Sequence, residues 1–349
     1  MKDNDLKYTF VNDEQLPLVI EPQSPDQGSV DFLIQYLQEN NQAFKDRLIQ
    51  YGAILFRGFH CNSPEAFSKA IDAALLGENY NYELCEVPRT KITDHVYTSV
   101  NLPPDFNLEL HNEKSHDPNF PTHVFFTCIH NAEQGGYTPL ADAHKVWLSL
   151  PDSLQEKLKT KGIRYRKFAF GRGFFGKLLK AIIPDFDLFT WMSKYNSKDR
   201  KEVEQRLQDI GYQWHWTRDD NLIAEYNLPA YRVHPITGKI VWFNQSNHLN
   251  YYNNNVNNYF IRIIKNPLAR FLFLKYKNSP YMADFGDGQC FSKQEATLIK
   301  QAIEKNTIAT PWQPGDFMVL DNYSCMHGKT PHVGKRLILA GLTQYPYQA

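Results

Sequence analysis

The sequence predicts a sheet-centred α+β domain. Apolar residues recur at helical spacings over residues 29–51, whereas residues from about 87 to 148 form strand-like runs separated by turns. The C-terminal part of the chain returns to this pattern, with a helix predicted at 292–305 and further apolar runs after it. Helices and strands that occupy separate stretches are typical of α+β domains.

The N-terminal elements are predicted from their boundaries. The first helix, over 29–51, ends at Gly52, and a short buried strand follows over 53–59. Ser63 suits the N-cap of the next helix and Pro64 its first position. A longer helix is predicted over Ala143 to Lys161.

Composition excludes several classes of protein. The chain has 349 residues, 42% of them hydrophobic, which is ample for one large domain with an insertion. A net charge of zero argues against binding to nucleic acid or to an anionic membrane surface. No secretory signal and no apolar run long enough for a membrane span is visible. Five scattered cysteines fit reduced thiols, so we expect a cytoplasmic protein.

The most informative pattern is His111-Asn112-Glu113, followed much later by His327 and Arg336. If His-x-Glu lies on a strand, both ligating side chains leave the same face, because side chains alternate along a strand. A distant histidine then completes a triangle on one side of a metal. Two histidines and one carboxylate with open positions form the facial triad of non-haem Fe(II) oxygenases.

The residues around these positions strengthen the pattern. Leu108–His111 alternates apolar and polar side chains, as a half-buried strand does. An apolar run at 317–320 precedes His327, which we expect in a loop, and a strand over 336–342 begins with Arg336. The planar, permanently charged fork of an arginine is suited to binding a carboxylate. Cys325 is expected to be a small buried side chain rather than a ligand.

Several longer segments resemble one family. They include GAILFRGF (52–59), LHNEKS (110–115), GGYTPLAD (135–142) and PWQPGDFMVLDNYSCMHGKTPHVGKRLILA (311–340). These segments resemble the taurine dioxygenase/clavaminate synthase-like superfamily of Fe(II)- and 2-oxoglutarate-dependent oxygenases, within the branch typified by syringomycin-pathway hydroxylases. The segments occur in the family's order over most of the chain.

The resemblance implies a single dioxygenase domain over residues 1–349 with a double-stranded β-helix (jelly roll) core, flanking helices and a lid insertion at about 165–285. It implies that His111, Glu113 and His327 bind Fe(II), and that Thr138 and Arg336 bind the cosubstrate 2-oxoglutarate beside dioxygen. Four further residues flank the pocket in the family pattern and are implied as substrate contacts: Arg89, Asn101, Ser115 and Asn244.

Residues 165–285 differ in character from the rest. They carry aromatic and basic clusters and an Asn-rich stretch from Asn244 to Asn258. From these residues we expect helices and loops lying over the site, with one strand at 239–244.

The implied reaction is hydroxylation of an unactivated C–H bond of an amino acid in specialised metabolism. The presence of Glu113 argues against halogenation, since halogenases of this superfamily have a small residue there. The amino acid is either free or held on a carrier protein. A mixed cationic and aromatic surface suits an acidic carrier or a carboxylate, and five residues are expected to form it: Arg164, Arg166, Lys167, Arg172 and Lys177.

Three alternatives stay open at this point. The oxygenase can act on a small molecule that is not an amino acid. Two histidines and a glutamate also suit a zinc hydrolase, although His-Glu-x-x-His is absent and Arg336 and Thr138 would have no role. A metal-free binding protein on a jelly roll is the third class.

Overall fold

The secondary structure comes from a computed structural model, which describes residues 6–80, 90–93, 96–99, 102–183, 186–255, 258, 262, 264, 266–267, 270–271 and 279–346. The helices are α1 (Val30–Glu39), α2 (Asn41–Tyr51), α3 (Pro64–Ala74), α4 (Ala143–Leu148), α5 (Asp152–Lys161), α6 (Phe174–Ile182), α7 (Trp191–Lys194), α8 (Arg200–Ile210), α9 (Ser246–Leu249) and α10 (Lys293–Lys305), with 3-10 helices at Pro25–Gln27 and Phe186–Phe189.

The strands are β1 (Leu6–Phe10), β2 (Leu18–Pro22), β3 (Ala53–Phe56), β4 (Glu78–Asn79), β5 (Tyr97–Thr98), β6 (Leu108–His111), β7 (His123–His130), β8 (Gln134–Gly135), β9 (Leu140–Asp142), β10 (Ile163–Ala169), β11 (Gln213–Trp216), β12 (Leu222–Leu228), β13 (Tyr231–Val233), β14 (Ile240–Trp242), β15 (Tyr281–Phe285), β16 (Thr307–Ile308), β17 (Phe317–Asp321), β18 (Cys325–Lys329), β19 (His332–Val333) and β20 (Leu337–Gln344).

The chain forms two compact units. The first unit comprises Met1–Ser149, Arg232–Phe243 and Ala302–Ala349. The second comprises Leu150–Tyr231 and Asn244–Gln301. Each unit has a sheet of its own, so each is described by itself.

A large mixed sheet organises the first unit. Its strands follow the order β1-β2-β3-β17-β7-β20-β4, and β5 pairs with β20. The β2–β3 pair is parallel, whereas β17 and β20 are antiparallel to their neighbours. Side chains on one face, such as Phe317 and Val319, belong to a core that includes α1 and α3.

The opposite face of the large sheet packs on a smaller one. The small sheet has the order β16-β9-β18-β6. Met318 and Leu320 of the large sheet share a core with Leu140 and Cys325 of the small sheet. Cys325 is completely buried in that core, which agrees with the packing role expected for it.

The second unit contains more β-structure than the sequence predicts. A four-stranded antiparallel sheet in the order β11-β12-β10-β15 stands where helices and loops were expected. Alternation along β12, with Leu222, Ala224 and Tyr226 buried, is a strand signal masked by the surrounding aromatic clusters. The strand expected at 239–244 is present as β14, within the first unit.

Two predicted helices are interrupted. The helix expected over 29–51 is divided into α1 and α2 at Asn40, whose side-chain amide donates to Tyr36 O and whose backbone leaves the helical region. The helix expected over 143–161 is divided into α4 and α5 at Pro151, which lacks the N–H that a continuing helix needs. Local polar and proline residues therefore overrode the apolar periodicity.

Other boundaries agree with the sequence. Ser63 Oγ accepts a hydrogen bond from Ala66 N, and Pro64 begins α3, as predicted. Gly52 ends α2 with φ 74°, the left-handed region that favours glycine. No helix in the described residues has the length and the apolar composition of a membrane-spanning segment.

We expect the buried His123 on β7 to make the stability of the protein dependent on pH. It is buried and hydrogen-bonded through Nδ1 to Thr122 Oγ1 at 3.0 Å. Burial lowers the pKa of His123 to about 4, although the facing Asp321 acts in the opposite direction. Between its ordinary value of 6.5 and about 4, the unfolded chain therefore binds a proton that the folded chain does not.

We expect this histidine to lower the free energy of unfolding by about 2 kcal/mol between pH 7 and pH 5. Urea unfolding of wild type and His123→Phe at both pH values measures the effect, and the variant should lose less stability on acidification. His130→Asn, at the exposed end of the same strand, is the control. Equal losses in all three proteins would contradict the prediction.

Candidate metal centre and cosubstrate site

His111 and His327 lie opposite each other on neighbouring strands of the small sheet. They form a direct register pair between β6 and β18, so both side chains leave the same face. Their ring centroids are 4.7 Å apart. The loop predicted for His327 is therefore wrong, because Cys325–Lys329 pairs with β6 and β9 as a strand.

Glu113 is not on the strand that carries His111. β6 ends at His111, and Glu113 lies in the turn that follows it. Lys114 next to it has φ 52°, which a continuing strand cannot accommodate. The strand alternation used to predict a shared face for His111 and Glu113 is therefore wrong, although the two side chains do converge.

The three predicted ligands form one buried group. One candidate ligand atom each from His111, Glu113 and His327 lies within 4.8 Å of the other two. His327 Nε2 is 3.5 Å from Glu113 Oε2. All three residues are buried. Among the residues that the structure describes, this is the one group of three or more His, Cys, Asp or Glu that could hold a metal ion.

Neighbouring groups orient both imidazoles. His111 Nδ1 lies 2.9 Å from Glu109 O, which favours a proton on Nδ1 and leaves Nε2 as the lone-pair donor. The ring of His327 packs edge-on against Phe126 of the large sheet, with centroids 5.2 Å apart. The orientation of each ring is thus fixed by a contact with a residue outside the triad.

This donor set fits Fe(II). Two imidazole nitrogens and one carboxylate oxygen on one side of a buried position match the 2-His-1-carboxylate facial triad. A carboxylate buried between two imidazoles is costly unless a cation compensates its charge. The close approach of Glu113 to His327 therefore suits a site in which a divalent cation lies between them.

Arg336 is a second charged group of the first unit. It lies directly before β20, and its Nε donates to Gly136 O at 2.8 Å. Burial lowers the pKa of Arg336 to about 10, which is far above neutral pH, so the guanidinium stays charged. Arg336 forms no ion pair with any carboxylate in the described part of the chain, so its terminal nitrogens are available to an anionic ligand.

Gly136 permits this approach of Arg336. A Cβ on Gly136 would lie 3.1 Å from Arg336 Cδ and 2.9 Å from Ala132 Cβ. Gly136 also has φ 69°, where other residues are strained.

A second cation of the first unit is Lys329. It donates to three carbonyls of the loop before β6, and Phe106 O is the nearest of them at 3.0 Å. Burial and the nearby Arg336 lower the pKa of Lys329 to about 8.

Thr138 is prepared to donate a hydrogen bond. It is buried, and its Oγ1 accepts from Trp312 Nε1 at 2.9 Å. Because Trp312 supplies the donor, the hydroxyl proton of Thr138 is left to point elsewhere. Among the described residues, Trp312 is the only hydrogen-bond partner of that hydroxyl.

The four implied substrate contacts have different positions. Ser115 is buried in the first unit, and its Oγ has no hydrogen-bond partner among the described residues. Asn244, in the second unit, uses both ends of its amide, donating to Ala230 O at 2.6 Å and accepting from Ser246 N at 2.9 Å. Arg89 and Asn101 lie outside the described residues.

Sequence reasoning missed four residues of the first unit that support the site. Trp312 orients Thr138, Gly136 makes room for Arg336, Lys329 ties down the loop before β6, and Asn322 holds the backbone of Glu113. Each acts across a long sequence separation, which periodicity does not report. A weak signal was present in the sequence for Gly136 alone, as the second residue of a Gly-Gly pair.

Two comparisons of sequence agree on the relatives of the chain. A profile of the family described as "Taurine catabolism dioxygenase TauD, TfdA family" matches residues 19–343. The chain is 29% identical over 302 residues to the dapdiamide synthesis protein DdaC of Enterobacter agglomerans, covering 86% of this chain and 84% of that one. It is 26% identical over 341 residues to a clavaminate synthase-like protein of Arabidopsis thaliana, covering 93% of each.

Solved structures show the same fold at low identity. PvcB from Pseudomonas aeruginosa matches with a TM-score of 0.55 and 13% identity, covering 99% of this chain and 94% of PvcB. A second structure of PvcB, described as an Fe, alpha-ketoglutarate dependent oxygenase from an isonitrile synthetic pathway, has a TM-score of 0.54 at the same identity and coverage. Identities this low establish similarity of fold.

Proposed function

Because the chain belongs to the taurine catabolism dioxygenase TauD, TfdA family, and is thus an Fe(II)- and 2-oxoglutarate-dependent dioxygenase, we propose that it hydroxylates an unactivated C–H bond of an amino acid. The observation that carries the oxygenase chemistry is the buried group of two imidazoles and one carboxylate within 4.8 Å, together with a guanidinium that no described carboxylate neutralises. The zinc hydrolase and the metal-free binding protein are set aside, since this family uses Fe(II), 2-oxoglutarate and dioxygen.

His111, Glu113 and His327 are the proposed iron ligands. The Nδ1 contact of His111 with Glu109 O directs Nε2 to the metal, and Phe126 fixes the ring of His327. These three residues would hold the ion from one side and would leave its other side open to small molecules. When bound, the iron supplies the activation of dioxygen that oxidation of a C–H bond requires.

Arg336 and Thr138 are the proposed anchors of 2-oxoglutarate. The guanidinium would pair with a carboxylate of 2-oxoglutarate, and the Thr138 hydroxyl, which accepts from Trp312, would donate a hydrogen bond to the same group. Lys329 adds positive charge beside Arg336, which favours a dianion over a neutral molecule. These residues bind and orient the cosubstrate and take no part in proton transfer.

We propose the finer architecture on the same grounds. The large and small sheets of the first unit, packed through a shared core, support a double-stranded β-helix. The segment at about 165–285 remains the proposed lid of a single dioxygenase domain, and Ser115 the best-placed of the proposed substrate contacts. Asn244 is better suited to anchoring the backbone of its own segment, because both ends of its amide are engaged.

An amino-acid substrate, either free or attached to a carrier protein, is supported by the relatives. One relative is named a dapdiamide synthesis protein and another is named clavaminate synthase-like, so both names refer to the synthesis of small molecules. The cationic surface expected to meet a carrier is smaller than the sequence suggests. Arg164 lies 3.6 Å from Asp284, and Lys167 lies over the rings of Tyr212 and Tyr226.

Location and partners follow from the same proposal. We propose a cytoplasmic enzyme whose partner is a small-molecule substrate or its carrier, with neither nucleic acid nor a membrane involved. The neutral net charge of the chain and the buried thiols Cys61 and Cys128 support this assignment.

The test is a substrate screen that measures succinate and the oxidised product by mass spectrometry. We expect Fe(II) and 2-oxoglutarate, mixed anaerobically with the protein, to give a weak visible charge-transfer band. An amino acid, free or loaded on a carrier, should then stimulate succinate formation in air. Stimulation by a metabolite that is not an amino acid would overturn the substrate proposal and leave the dioxygenase assignment intact.

A further inference from the structure

A buried histidine–aspartate pair lies in the first unit, outside the triad. His234, in the segment between β13 and β14, donates from Nε2 to Asp321 Oδ2 at 2.7 Å, and both side chains are at most 1% exposed. His234 Nδ1 accepts from the backbone N–H groups of Ile236 and Thr237, both at 3.1 Å. Because Nδ1 already accepts two hydrogen bonds, the proton of His234 is confined to Nε2.

Asp321 holds the turn that follows β17. Its Oδ1 accepts from Tyr323 N at 2.8 Å and Ser324 N at 3.4 Å, while Ser324 Oγ donates to Oδ2 at 3.2 Å. Burial is the largest influence on the pKa of Asp321 and would raise it, but His234, His123 and the backbone N–H of Tyr323 together outweigh burial, and the pKa is lowered. Both carboxylate oxygens of Asp321 thus accept hydrogen bonds. The bonds from Tyr323 and Ser324 fix the turn, and the bond from His234 holds the carboxylate itself.

The residue held in that turn is Asn322, whose whole side chain is used on the loop that contains Glu113. Asn322 Oδ1 accepts from Glu113 N at 2.7 Å. Asn322 Nδ2 donates to Glu113 O at 3.0 Å and to Pro121 O at 2.7 Å. The carbonyl of Asn322 accepts from Asn112 Nδ2 at 2.7 Å. One side chain thus satisfies both backbone polar groups of Glu113.

This arrangement replaces strand pairing at Glu113. The two histidines of the triad are placed by the ladder between β6 and β18, whereas Glu113 lies beyond the end of β6. Glu113 lies in a turn, next to Lys114 in a left-handed conformation, so its backbone is not placed by strand pairing. The contacts of Asn322 with the backbone of Glu113 take the place of the ladder at this position.

We propose that His234, Asp321 and Asn322 are positioning residues that hold the Glu113 carboxylate toward the two imidazoles, which rests on the proposed role of Glu113 as an iron ligand. His234 and Asp321 fix the turn, and Asn322 transmits its position to the backbone of Glu113. Groups that orient metal ligands typically change metal affinity or activity by about 10- to 100-fold when they are replaced.

Asp321→Asn tests the pair without a change of shape. In Asp321→Asn the side-chain amide nitrogen replaces one of two oxygens that both accept hydrogen bonds, so a donor then faces a donor. His234 cannot respond by moving its proton to Nδ1, since Nδ1 accepts from Ile236 and Thr237. We expect the variant to bind Co(II), used as a stable probe for Fe(II), about 10-fold more weakly than wild type. The Km for 2-oxoglutarate should stay within a factor of two or so, since Arg336 is untouched.

A second measurement uses the apoprotein. Hydrogen exchange of the peptide spanning 110–116 should accelerate in Asp321→Asn, because the amide of Glu113 is held by Asn322 Oδ1. Should Asp321→Asn fail to fold, Asn322→Ser leaves the His234–Asp321 pair intact while its short side chain cannot reach both Glu113 and Pro121. The same two readouts then apply to that variant.

His144→Gln is the matched control. His144 Nδ1 lies 2.6 Å from Ile240 O, so it holds the start of β14, which follows the segment of His234, and among the described residues Asn322 makes its hydrogen bonds with other partners. We expect wild-type Co(II) affinity and wild-type exchange of 110–116 in this variant. The proposal is overturned if Asp321→Asn matches wild type in both readouts, or if His144→Gln weakens binding equally.

The metal-binding and hydrogen-exchange measurements also distinguish a failure of this proposal from a failure of the proposed function. A wild-type protein that binds neither Co(II) nor Fe(II) would overturn the iron site. Exchange at 110–116 would in that case still report whether the pair holds Glu113. Altered exchange with unchanged Co(II) affinity would mean that the contacts stabilise the turn and do not position the ligand, which overturns the proposal.

Discussion

Glu113→Ala is expected to abolish 2-oxoglutarate turnover while the protein remains folded. The substitution removes the carboxylate of the triad, and Fe(II) affinity should fall by more than about 100-fold, since even residues that only support ligands typically account for 10- to 100-fold. Removal of a buried anion also relieves a desolvation cost, so the melting temperature of the apoprotein should not decrease strongly. Succinate formation and anaerobic metal titration measure the two effects.

Glu133→Ala is the control for this variant. Glu133 is an exposed carboxylate before β8, and its loss should leave both metal binding and succinate formation unchanged. Normal turnover in Glu113→Ala would return Glu113 to an ordinary structural role and would contradict the ligand assignment.

Arg336→Ala is expected to raise the Km for 2-oxoglutarate by roughly 10- to 150-fold. Loss of a hydrogen bond to a charged group typically costs about 1.5–3 kcal/mol, which corresponds to that range. Affinity for Fe(II) should be nearly unchanged, because Arg336 is not part of the triad. The Km from succinate formation and the metal affinity from anaerobic titration measure the two quantities separately.

Two further variants sharpen the assignment of Arg336. Arg336→Lys keeps a charge but loses the planar fork, so its Km should lie between those of wild type and Arg336→Ala. Lys335→Ala removes an exposed cation next to it and should leave the Km unchanged. If Arg336→Ala requires no more 2-oxoglutarate than wild type, another residue binds the distal carboxylate.

Much of the site was predictable from residues alone. The spacing of His111 and Glu113, the distant His327 and the strand-proximal Arg336 are features of local sequence, and residue type limits the chemistry that they support. The start of α3 was predictable for the same reason, because Ser63 and Pro64 act on their own helix. The predicted lengths of two helices were wrong, because a single residue, Asn40 in one and Pro151 in the other, interrupts a helix that the apolar periodicity predicts as continuous.

The geometry of the triad depended on the tertiary structure. From the sequence, Glu113 was expected to point toward the metal by strand alternation, yet it lies in a turn and is held by Asn322 from 209 residues away. His327 was expected in a loop, yet it pairs with His111 across a ladder.

The sequence by itself determined which chemical groups this protein can bring to a metal and to a carboxylate, because those properties belong to individual side chains. The tertiary structure decided how the groups converge: Trp312 orients Thr138, Gly136 admits Arg336, and Asn322 holds Glu113. Such contacts join residues far apart in the chain and depend on strand register and close packing. No periodicity within a single segment reports them.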